Sequence, residues 1–180
     1  MSAISFLFYS YSISLLLGGN RQDMKKYSLR RMGREGHPEI IEAINKFWKG
    51  KAEIEAGEPI ELFYFPSKQS LWDWLYQLYL DAFYKGTLPF SIIVIPNPQL
   101  GGWRNYWEGI AFEGYQISAI KEQHLLALKL TAVHELGHLL GLPDHLSFNR
   151  CIMNWVPWFL IPLRFRNICP ACAKIIKDVE

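Results

Sequence analysis

Residues 131–155 read TAVHELGHLLGLPDHLSFNRCIMNW, and this stretch decides the fold. His134 and His138 stand four residues apart within a run whose apolar residues predict a helix. At that spacing both imidazoles leave the same helix face and can bind one metal ion. Glu135, beside His134, is badly placed to ligate the same ion but well placed to hold a water against it. Water on such an ion is acidified toward neutral pH, and a nearby carboxylate can take its proton and pass it to a leaving amine. The chemistry that follows is metal-assisted hydrolysis of a peptide bond. Zinc suits two imidazoles with an open position. The plainer reading is an amphipathic helix with surface histidines. Gly137 and Gly141 argue against it. Gly141 can take a positive φ, end the helix and turn the chain back beneath the metal. A ligand just past that turn would complete the site, and two candidates stand there side by side, Asp144 and His145.

The three cysteines, Cys151, Cys169 and Cys172, all fall in the last 30 residues of the 180-residue chain. An odd count spaced in this way is not a secreted disulfide framework. A CxxC beside other ligand types reads as a metal site in a reducing compartment. A cytoplasmic location is therefore expected. Residues 4–17 complicate it, being apolar and uncharged. That run is shorter than the roughly 20 residues a membrane helix needs, and it lacks a basic n-region. Tyr9, Tyr11, Ile13 and Leu15 alternate with Ser10, Ser12 and Ser14, which predicts a strand with one wet face. A signal anchor or a misassigned start is the alternative.

Half of the residues are apolar and the formal net charge is +2. This is a chain able to bury a core, and its charge does not favour a nucleic-acid partner. The length suits one domain. Residues 21–34, with six basic residues against Asp23, read as a solvated connector. Residues 38–50 have helical spacing at Ile40, Ile41, Ile44 and Phe47, closed by Gly50. Residues 59–65 read as a strand between prolines. Residues 67–84 form an amphipathic helix with Leu71, Trp74, Leu75, Leu78 and Ala82 on one face, its aromatics assigned to the core. Residues 89–96 predict a buried strand, and residues 110–120 a strand pair or one strand broken at Gly114. Residues 121–140 are expected to be helical, and a short helix is expected near residues 173–179. Alternating strands and helices indicate α/β or α+β. The expected plan is a sheet-and-helix part to about residue 142 and a smaller C-terminal part beyond it.

His134-Glu135-x-x-His138-x-x-Gly141, a ligand and then a methionine make up the metzincin pattern. Together with RCIMN at 150–154 and CPAC at 169–172, it resembles the archaemetzincin family over about residues 131–172. Residues 106–120 are weakly similar to the strand preceding the active-site helix in such proteins, and residues 1–58 do not contribute. The resemblance implies a zincin-like twisted mixed sheet packed on helices, a zinc-stabilised C-terminal subdomain, and two zinc ions per chain. It also implies peptide or protein substrates and makes Met153 the Met-turn residue beneath the metal. Read simply, Met153 is a core methionine, and the two readings are compatible.

In that family the third catalytic ligand is a His ten residues after the first, and a Cys follows it to begin a structural zinc site. Here Asp144 stands at the first of these positions and His145 at the second. Two registers are open. In one, Asp144 completes the catalytic site, and His145 joins Cys151, Cys169 and Cys172 around a structural zinc, with one extra residue in the loop that follows. In the other, His145 is the catalytic ligand and the three thiolates lack a visible fourth partner. The first is preferred. A structural zinc short of a ligand forfeits folding energy, whereas a longer loop is a small perturbation.

The expected function is a zinc metallopeptidase with Glu135 as general base and acid. The alternative is a zinc-stabilised binding or regulatory protein with little turnover. A zinc-ribbon nucleic-acid module would need a second spaced pair and a basic face. His37 and His124 are expected to be ordinary polar positions. Neither a nucleic-acid partner nor membrane contact is expected, and the expected state is a monomer.

Overall fold

The computed structural model describes residues 25–86, 91–103, 108–112, 116–145, 151–154 and 167–178. The strand expected within residues 4–17 lies outside them. The ordered elements are β1 (Lys25–Arg31), α1 (Pro38–Phe47), β2 (Ala52–Ala56), α2 (Lys68–Tyr84), β3 (Ser91–Ile95), β4 (Gly109–Phe112), β5 (Ile117–Lys121), α3 (Leu125–Leu139) and α4 (Pro170–Asp178). They build a mixed α/β architecture around one five-stranded sheet of order β2-β1-β3-β5-β4. β1, β2, β3 and β5 pair in parallel, and β4 lies antiparallel to β5 at the edge. Residues 110–120 are therefore a strand pair.

The central strand explains its own sequence. All five residues of β3 are buried. Ile92 and Val94 face the core shared with α1 and α3, while Ile93 and Ile95 face the core under α2. A parallel strand covered on both faces reads as a continuous apolar run rather than an alternation. α3 is likewise enclosed, with eleven of its residues buried. An apolar helix of that kind belongs inside the molecule.

Several expectations need correction. The basic stretch is not a connector, because β1 runs through it. Tyr27, Leu29 and Arg31 point into the protein while the polar residues between them are less buried. The flanking charges hid a period of two. Arg31 is 4% exposed and pairs with Glu122, which Arg34 also reaches at 2.8 Å. A buried guanidinium is tolerated because a carboxylate meets it there. β2 was not expected, since Ala52, Glu53, Ile54, Glu55 and Ala56 offer only one large apolar residue. Residues 59–65 do not form a strand. Among the described residues they make single bridges, Ile60 with Met32 and Phe65 with Leu100, and Leu62, Phe63 and Tyr64 are exposed. On α2, Leu71 and Leu75 are buried as expected, but Trp72, Tyr76, Phe83 and Tyr84 are exposed, so most of its aromatics are not core. α3 begins at Leu125, since Lys121 belongs to β5 and His124 is the N-cap. Among the described residues, no helix is long and apolar enough to cross a membrane.

Candidate metal centres

α3 carries the first group of donors. It ends in a Schellman motif: Leu142 N–H donates to Gly137 O at 2.9 Å and Gly141 N–H to His138 O at 2.8 Å, with Gly141 at φ 86°. Only glycine takes that conformation without a steric penalty. The reversal sends residues 142–145 back past the last helical turn, as the position of Gly141 implied. Asp144 then meets the histidines. Its Oδ1 lies 3.2 Å from His134 Nε2 and 3.7 Å from His138 Nε2, and the two Nε2 atoms are 3.1 Å apart.

The other ring nitrogens are engaged. His134 Nδ1 lies 2.8 Å from Ile152 O, and His138 Nδ1 lies 2.9 Å from Leu142 O. A carbonyl only accepts, so each Nδ1 carries the proton and each Nε2 turns its lone pair inward. Two lone pairs and a carboxylate oxygen thus converge on one point. Ligands at about 2.0–2.1 Å from a tetrahedral zinc lie about 3.3 Å from one another, and the three separations bracket that value. The donor set fits zinc.

The second group fits as well. His145 Nε2 lies 3.5 Å from both Cys169 Sγ and Cys172 Sγ, and Cys151 Sγ lies 3.8 Å from Cys172 Sγ. Tetrahedral zinc with sulfur at about 2.3 Å and nitrogen at about 2.0 Å sets such contacts near 3.8 Å for S···S and near 3.6 Å for S···N. A disulfide would need about 2.05 Å, and the cysteines are free. Burial works to raise Cys169, yet hydrogen bonds from the Cys172 and Ala171 backbone and from the neighbouring sulfurs hold its thiol below the usual value. Burial, followed by the adjacent Cys169 and Cys151 sulfurs, pushes Cys172 upward. Buried sulfurs this close ionise together only around a cation.

The two neighbours of the sequence question therefore part company. Asp144 sits with the histidines, and His145 sits with the cysteines. Glu135 is 5% exposed beside the histidines. His37 lies at the far end of α3, near Glu122, and His124 is exposed.

Two supporting residues, Gly109 and Trp48, escaped the sequence reading. A Cβ on Gly109, in edge strand β4, would collide with Glu135 Oε1, so this glycine makes room for the carboxylate. Its signal was legible, because a glycine inside a strand often marks close approach. A Cβ on Gly137 would collide with Met153 Sδ, and Met153 is fully buried against the helix at that point. Trp48, also fully buried, donates from Nε1 to Val133 O at 3.0 Å and packs 3.3 Å from where that Cβ would be. Trp48 and Met153 thus brace the turn of α3 that carries His134 and His138. No local pattern announces Trp48, whose partner is 85 residues away.

No protein-family model matches the sequence, and no curated protein does. Solved structures do match. A zinc-dependent peptidase from Methanocorpusculum labreanum superposes with a TM-score of 0.60 at 14% identity, covering 83% of this chain and 99% of its own. Archaemetzincin from Methanopyrus kandleri gives 0.59 at 14% identity, covering 89% and 98%. Archaemetzincin from Archaeoglobus fulgidus, complexed with malonate, gives 0.52 at 17% identity, covering 83% and 99%. The chain has the fold of these zinc-dependent peptidase and archaemetzincin structures.

Proposed function

We propose that the chain is a zinc-dependent peptidase that carries a second, structural zinc. The observation that supports it most is the inward pairing of His134 and His138 Nε2 at 3.1 Å, with Asp144 Oδ1 beside them. Uncompensated, those lone pairs repel, and a cation relieves them. His134, His138 and Asp144 would hold the catalytic ion, and His145, Cys151, Cys169 and Cys172 the structural one. A bound zinc would supply Lewis acidity to a substrate carbonyl and to water. Glu135 would act as the base that takes a proton from the attacking water and as the acid that returns it to the amine as the peptide C–N bond breaks. Its burial keeps competing solvent away and fixes the carboxylate against Gly109. Asp144, 45% exposed, stands at the open rim and leaves a face for substrate. Met153 packs beneath the histidines in the manner of a Met-turn.

Glu135→Ala tests the reading. Hydrolysis of a peptide library is expected to fall at least about a hundredfold, while zinc content stays at two per chain. A wild-type protein that loads zinc yet cleaves no library peptide would favour the alternative, a zinc-stabilised binding protein.

A further inference from the structure

Asp144 and His145 are adjacent in the chain, yet Asp144 Oδ1 lies 3.2 Å from His134 Nε2 and His145 Nε2 lies 3.5 Å from two cysteine sulfurs. Cys151 and Ile152 repeat the division. Cys151 Sγ belongs to the sulfur cluster, whereas Ile152 O accepts the His134 Nδ1 proton at 2.8 Å. The two pairs are tied to each other, since His145 N–H donates to Met153 O at 3.2 Å and His145 bridges to Asn154. Residues 144–145 laid against 151–154 therefore form a strap, and each pair sends one residue to each cluster. The remaining sulfurs come from the start of α4, where Cys169 N–H donates to Cys151 Sγ at 3.3 Å. His138 is different. Its Nδ1 partner, Leu142 O, lies within the capping turn of α3 itself.

We propose that the cysteine cluster is a positioning device for the histidine–aspartate cluster. Metal among the sulfurs fixes the strap, and the strap fixes Asp144 and the ring of His134. This deepens the zinc-peptidase reading and rests on it. Two sites that share a rigid strap have linked affinities. The linkage is selective, because His134 and Asp144 depend on the strap and His138 does not.

Cobalt(II) titration of the full chain tests the linkage. Thiolate-bound cobalt shows intense sulfur-to-metal charge transfer, while nitrogen and oxygen ligands give only weak ligand-field bands, so the two sites are read separately. Cys172→Ser removes a sulfur on α4, outside the strap. The affinity of the histidine–aspartate site is expected to fall at least about tenfold, as for lost outer-shell support elsewhere. An affinity within about threefold of the wild type would overturn the proposal. Should Cys172→Ser fail to fold, the wild-type chain carries the test by nitrogen NMR of its imidazoles. As the first equivalent of zinc fills the sulfur cluster, solvent exchange of the His134 Nδ1–H, which Ile152 O accepts, is expected to slow markedly while that of the His138 Nδ1–H does not change. No slowing at His134, or equal slowing at both rings, overturns the proposal. A wild-type titration that stops at one thiolate-bound cobalt per chain removes the histidine site itself, and the peptidase reading falls with it.

Discussion

The two ligand clusters meet at one strap but are built on opposite plans. The histidine–aspartate cluster takes two of its three donors from one turn of α3, and its third donor is a half-exposed side chain. The cysteine cluster gathers four donors from three stretches of chain, and Cys151, Cys169 and Cys172 are 0%, 6% and 1% exposed. A helix packed independently of the metal keeps its fold when a ligand on it is lost. A site that joins separated segments supplies the contact that holds them. Three donors with an exposed side suit turnover, and four donors of which three are buried thiols suit structure.

The sharpest way to break this contrast is to remove one ligand from each cluster. Cys151→Ser is expected to cost several kcal/mol and to abolish a cooperative melt of the zinc-loaded chain, because metal binding at such a site is folding free energy. His138→Ala is expected to end hydrolysis and leave a cooperative melt, since the helix beneath it is packed independently. Thermal unfolding of the two variants decides it, and equal losses would erase the distinction.

Gly137→Ala probes the join between helix and strap. The added methyl would meet Met153 Sδ, backed by Trp48. A loss of about 1–3 kcal/mol is expected from overpacking, read by denaturant unfolding. An unchanged midpoint would mean that Met153 is not held against the helix.

Asp144→His changes the charge of the open site alone. As a ligand, the aspartate would lower the net charge around a bound ion, so water there would be less acidified than with three neutral ligands. The variant's activity optimum should lie at lower pH, measured as kcat/KM against pH. An unchanged or reversed profile would count against Asp144 as a ligand.

The smallest effect lies at the other end of α3. His37, the N-cap of α1, has its pKa lowered by burial first and by the Arg31 charge second. The unfolded chain then binds this proton more readily than the folded one. Stability is therefore lost as pH falls below the ordinary histidine range of about 6.5. His37→Asn should flatten that decline slightly, seen by comparing urea midpoints near pH 5 and near pH 7.5. A steeper decline would reverse the sign.

Much of the site was legible because its signals are local. Four-residue spacing puts two imidazoles on one face, Gly141 forces a reversal, and a CxxC at the start of a short helix brings two sulfurs together. The continuous apolar run of β3 announced a strand covered on both sides. What stayed hidden depends on distant partners. β1 looked like a charged connector because Arg31 is buried only by virtue of Glu122, 91 residues later. Residues 59–65 looked like a strand, yet among the described residues no neighbouring strand pairs along them.

The sequence by itself determined which donors the chain can offer: two imidazoles on one helix face with a carboxylate beside them, and a set of thiols to follow. Between Asp144 and His145 it preferred one register, on ligand count, and left the other open. Adjacent residues in an extended strap point in opposite directions, and their assignment depends on which way the strap faces. That facing is fixed by the pairing of His145 with Met153 and Asn154 and by the sulfurs brought in on α4, contacts that exist only once the chain has folded.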